Sequence, residues 1–169
     1  DRVMTYVHAI GPAHEVRHPY HLGTTNFSAK LDRLPARAAV FDERLNTGED
    51  ALVIISPNDP DAMLQYANEC STLGIRYIWD PGQQCARMSG DELKEGAVGA
   101  AIVICNDYEF ELLRQKTGLD ERDILRTADA LIVTRGEHGS TILTPRDRVD
   151  VAAVPPRRII DPTGVGDAY

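Results

Sequence analysis

Near the end of the chain, Asp167 follows directly on Gly164-Val165-Gly166. Two glycines around one small residue let the backbone turn so that successive N–H groups aim into one concavity, which is an anion site. A helix beginning there adds the positive end of its dipole. A carboxylate beside such a hole repels the ligand that the hole attracts, so it serves binding alone poorly. It makes sense as a base that takes the proton of a hydroxyl attacking a phosphoryl group held nearby. The other reading of the same residues is a glycine-rich turn capped by an aspartate.

Two further loops carry polar groups at suggestive spacings. Asn106-Asp107-Tyr108-Glu109 reads as a capping box, with Glu109 reaching back to Asn106, or as an amide and a carboxylate that orient Mg²⁺ largely through its waters. Thr134-Arg135-Gly136-Glu137-His138-Gly139 reads as a glycine turn into a hairpin, or as close backbone approach to nucleotide phosphates. His8, His14, His18 and His21 suit neither a helix face nor a strand pair, and no cysteine joins them, so they read as surface histidines rather than a zinc site. The chain has no Gly-x-Ser-x-Gly elbow, no P-loop and no Gly-x-Gly-x-x-Gly fingerprint.

These loops need elements to hold them. Apolar, β-branched runs at 51–55, 75–79, 101–105 and 130–134 predict strands. Between them the spacing predicts a helix over 60–73, capped by Asn58 or Asp59 and closed by Gly74, with Met63, Leu64, Ala67 and Cys70 on one face. Ser89 and Glu92 predict a capping box for a helix reaching about Glu95. Residues 107–116 predict a helix with Phe110, Leu112 and Leu113 turned inward, followed by a short helix at 121–127. Strands are expected at 140–144 and 148–154. Alternating strands and helices of this kind predict an α/β fold, with a mostly parallel sheet covered on both faces. The polar clusters at 56–59, 80–84, 106–109 and 135–139 each follow a strand, so they line one edge, where open α/β sheets bind ligands.

The chain has 169 residues, 43% of them hydrophobic, enough for one domain with a core. A net charge of -8 argues against a nucleic-acid surface, and no apolar run approaches a membrane span. Cys70, Cys85 and Cys105 are odd in number and lack C-x-x-C spacing, as expected of reduced thiols in a cytoplasmic protein. The chain opens on Asp1 and closes where a helix should begin, so it is expected to be a piece of a larger protein. Residues 1–50, with shorter alternating runs at 3–10 and 16–22, are expected to form a small β flap or lid and a connecting segment, and 51–169 part of the α/β core.

The three loops in this order resemble the PfkB (ribokinase-like) carbohydrate and nucleoside kinases, whose C-terminal signature usually has a Gly-Ala-Gly-Asp core. Val165 stands for the alanine and Tyr169 for the usual phenylalanine. Asn106–Glu109, the Thr134–Gly139 loop and Asp80-Pro81-Gly82-Gln83-Gln84 are most similar to the bacterial adenosine-kinase-like branch. The resemblance implies an ATP- and Mg²⁺-dependent phosphotransferase acting on a primary hydroxyl, with adenosine the first expected acceptor and ribose, fructose or a related sugar the second. It also implies roles for single residues. Asp167 is the base, and the N–H groups of Gly164, Val165 and Gly166 hold the phosphoryl. Asn106 and Glu109 organise Mg²⁺ and the ATP phosphates, while Thr134, Arg135, Gly136 and Gly139 touch the nucleotide. Asp161 and Thr163 lie where some members hold a monovalent cation. A non-catalytic nucleotide- or metabolite-binding domain of the same fold is the alternative; it gains nothing from Asp167.

Overall fold

The structure, a computed structural model, describes Ala9–Ile10, Val16–Arg17 and residues 52–155. Two short strands, β1 (Ala9–Ile10) and β2 (Val16–Arg17), pair antiparallel with one another, and β1 pairs antiparallel with β3 (Leu52–Ile55). From β3 the chain builds a parallel centre through β4 (Arg76–Trp79), β5 (Ile102–Asn106) and β6 (Ala130–Thr134). It then reverses direction into β7 (Ser140–Leu143) and β8 (Arg148–Val151). The result is one mixed sheet in the order β2-β1-β3-β4-β5-β6-β7-β8, parallel at its centre and antiparallel at both ends.

Local chemistry sets the helix boundaries. Helix α1 (Pro60–Leu73) starts where Asp59 accepts the N–H groups of Asp61 and Ala62, with proline in the first turn, whose missing N–H costs nothing. It stops at Gly74, whose φ of 68° lets its N–H fold back onto Cys70 and Ser71. Asn58, the other candidate cap, is buried instead. Helix α2 (Gly90–Gly99) has the expected Ser89–Glu92 box but runs past the expected end at Glu95. Gly96 and Gly99 look like helix breakers, yet a Cβ at Gly96 would overlap the Trp79 ring and one at Gly99 the Tyr77 hydroxyl. Their bareness serves close packing on the sheet, and Tyr77 donates its hydroxyl proton to the Gly96 carbonyl. Helices α3 (Asp107–Thr117) and α4 (Glu121–Ile124) complete the set; α4 is shorter than expected.

Successive helices α1, α2 and α3 touch one another, and α1 lies against β3 and β4 while α3 lies against β5 and β6, so the three form one layer on one face. The strands alternate accordingly. Val53, Ile55, Tyr77, Trp79, Val103, Cys105, Leu131 and Val133 are buried under the helices in cross-strand register. Each large aliphatic or aromatic side chain so buried stabilises the fold by about 1.5–3 kcal/mol. On the other face, Ile54, Ile78 and Ile102 form one half-buried row and Ile104, Ile132 and Ile142 another. Among the described residues the helices cover one face, and an isoleucine ladder lies on the other. Among those residues, no helix is long and apolar enough to cross a membrane.

Candidate active site

Because β3 to β6 are parallel, the loops after them emerge at one edge, as the sequence pattern requires. There is no loop between β5 and α3. Asn106 is the last residue of the strand and the cap of the helix. Its Oδ1 accepts the Glu109 N–H at 2.8 Å, and Glu109 Oε2 accepts the Asn106 N–H at 2.8 Å. The capping box is thus complete, and it uses one oxygen of each side chain. Glu109 Oε1 remains for a second task at the positive end of an eleven-residue helix.

Asn106 pairs in register with Thr134 at the end of β6, and Thr134 with Ser140 at the start of β7. Three polar residues thus form a line across three strands at the carboxyl edge. Beyond Thr134 the chain makes a single 3-10 turn, Gly136–His138, in which Arg135, Gly136, Glu137 and His138 are all exposed. Gly136 has φ 53° and open space around the position of a Cβ, so its backbone is free to meet a ligand. Gly139 differs. A Cβ there would overlap the Val151 carbonyl, so packing against the β7–β8 hairpin also requires glycine here.

One contributor had no role in the sequence reading. Burial pushes the Cys85 thiol up to about 12 and lifts Cys105 well above its ordinary value, and the carboxylates of Asp80 and Glu109 add to both effects. Asp80, just after β4, therefore stands within electrostatic reach of the same two thiols as Glu109. Its signal was its place in a polar cluster after a strand. Among the described residues no three His, Cys, Asp or Glu side chains gather closely enough to hold a metal by themselves.

Asp161, Thr163, Gly164, Val165, Gly166 and Asp167 lie outside the described residues, as do His8, His14, His18 and His21. Of the expected site, the described residues bring together Asn106, Glu109, Thr134, Arg135 and Gly136.

A mixed sheet of this kind, with a layer of helices against it and polar loops at its strand ends, defines an α/β protein. The chain belongs to the pfkB family of carbohydrate kinases, whose family model matches residues 28–169. It is 32% identical over 118 residues to a nucleoside kinase of Methanocaldococcus jannaschii, a match that covers 70% of this chain and 39% of that protein. The crystal structure of an M. jannaschii nucleoside kinase, an archaeal member of the ribokinase family, superposes with a TM-score of 0.71 at 26% identity, over 92% of this chain and 48% of that one. The nucleoside kinase of Burkholderia thailandensis in complex with inosine superposes with a TM-score of 0.68 at 38% identity, over 73% of this chain and 41% of that one. The chain spans about two fifths of the length of such relatives.

Proposed function

We propose that the full-length protein carrying this chain is an ATP-dependent nucleoside kinase that phosphorylates the primary hydroxyl of a purine nucleoside, adenosine or inosine. The single observation that carries this reading is the register of Asn106 beside Thr134, which sets two of the three motif loops side by side at the carboxyl ends of adjacent strands. The relatives support a nucleoside over a free sugar, and the Burkholderia relative is bound to inosine.

In this reading Asp167 accepts the proton of the attacking hydroxyl, and the N–H groups of Gly164, Val165 and Gly166 hold the phosphoryl in transfer. The free oxygen of Glu109, with Asn106, would hold Mg²⁺ largely through its waters. That ion supplies positive charge to the triphosphate as charge shifts onto the leaving oxygen. Thr134, Arg135 and Gly136 meet the nucleotide phosphates, and Arg135 is exposed enough to reach them. Asp161 and Thr163 are assigned to a monovalent cation. Residues 1–50 are assigned to a lid and 51–169 to the core, in a cytoplasmic enzyme drawing on ATP.

The test is ADP release by the full-length protein over a panel of adenosine, inosine, ribose and fructose. Turnover with nucleosides is expected. Turnover with ribose or fructose alone would move the enzyme to the sugar kinases, and nucleotide binding with no acceptor-dependent ADP would make it a binding domain.

A further inference from the structure

We propose that Lys116 is a positioning residue for the acceptor side of this site, acting through the segment that follows β4. The proposal rests on the kinase reading above. Phosphoryl transfer needs the leaving oxygen, the phosphorus and the attacking oxygen roughly in line. The nucleotide residues Thr134, Arg135 and Gly136 stand on the β6 side of Asn106 and Glu109, and the proposal assigns the acceptor to the β4 side. There the chain runs from Asp80 through a 3-10 turn, Gly82–Ala86, to Met88.

This segment is held in an unusual way. No side chain caps the turn, and Gln84 is buried with its Oε1 unpaired. One side is fixed by shape: Gly82, at φ 48°, lies where any Cβ would overlap Pro57 of the loop after β3. The other is fixed by Lys116, in the last turn of α3. Its Nζ donates to the carbonyls of Cys85 at 2.8 Å, Ala86 at 2.9 Å and Met88 at 2.7 Å. An ammonium has three N–H groups, and all three go to main-chain carbonyls of one stretch. The Lys116 carbonyl sits so close to the start of α2 that a Cβ at Gly90 would overlap it. Helix α3 thus begins at Asn106 and Glu109 and ends in a clamp on the adjoining loop. The stretch from Cys85 to Met88 and the helix that carries Glu109 are tied together through it.

Lys116→Met in the full-length enzyme keeps most of the aliphatic stem and removes all three donors. Misplacement of a substrate-facing loop by about 1 Å can cost up to 10²-fold. We expect kcat/KM for the nucleoside to fall by about 10-fold, in the middle of that range, with KM for ATP unchanged. Labelling of Cys85 by a thiol reagent, read by mass spectrometry, should quicken in the absence of substrates. Lys116→Arg, which keeps the charge and several donors, should restore much of both. If Lys116→Met does not fold, Lys116→Gln, with one amide donor group, is measured in the same way. Wild-type nucleoside kinetics in the variant, with or without faster labelling, would overturn the proposal and leave Lys116 a surface clamp. A wild-type protein that turns over no nucleoside would instead overturn the functional reading.

Discussion

In the proposed function Glu109 gives one carboxylate two duties, and a conservative change separates them. One oxygen closes the cap on Asn106, and glutamine does that almost as well, since the capping box accepts Glu or Gln. The other duty is charge, which glutamine lacks. Glu109→Gln should therefore keep the fold, losing about 0.3–1 kcal/mol of helix-dipole stabilisation, while the Mg²⁺ concentration for half-maximal activity rises clearly. Asp167→Asn should leave that Mg²⁺ response alone and lower kcat by about 10²–10⁴-fold, because an amide cannot accept the hydroxyl proton. Mg²⁺ titrations of both variants decide the matter, and an Asp167→Asn enzyme with full activity would remove its central residue. At this scale the sequence was ambiguous for a physical reason. The residue types that cap a helix are the ones that meet a metal, and Asn106 and Glu109 demonstrably cap. Asp80 was legible as a polar residue after a strand but not as acting on the same thiols as Glu109, because residues so far apart in sequence meet only through strand order.

Elements were legible where local signals agreed. Aspartate, proline, apolar stripe and terminal glycine all marked α1, and its bounds are those expected. They were misread where a residue answered to a distant partner. Helix α2 was expected to end about Glu95, yet it runs on through Gly96, whose bareness answers to Trp79 on β4. Gly96→Ala tests this with opposed signs. Intrinsic propensity favours alanine in a helix interior by about 1 kcal/mol, whereas forcing a methyl into a packed contact costs about 1–3 kcal/mol. We expect net destabilisation in urea unfolding, accompanied by a change in Trp79 fluorescence. A stabilised variant would mean that the ring has room to move.

For the whole molecule, the buried thiols set an alkaline limit. Cys70 and Cys85 are pushed from an ordinary value of 9.0 to about 12, chiefly by burial, and Cys105 is raised as well. Below that ordinary value both folded and unfolded chains keep these protons, so stability does not respond. Above it the unfolded chain releases them and the folded chain does not, so stability falls with rising pH until the folded thiols also ionise. The urea midpoint should be flat through neutrality and decline from about pH 9, and replacing Cys85 with alanine should soften that decline. Strand order carries a different consequence. From β3 to β8 each strand lies beside the one made just before it. Pairings of that kind join neighbours in sequence, through helical crossovers from β3 to β6 and through reversals of direction from β6 to β8. As the chain leaves the ribosome, every new strand meets an edge already waiting for it, so this part of the protein can assemble in the order in which it is synthesised.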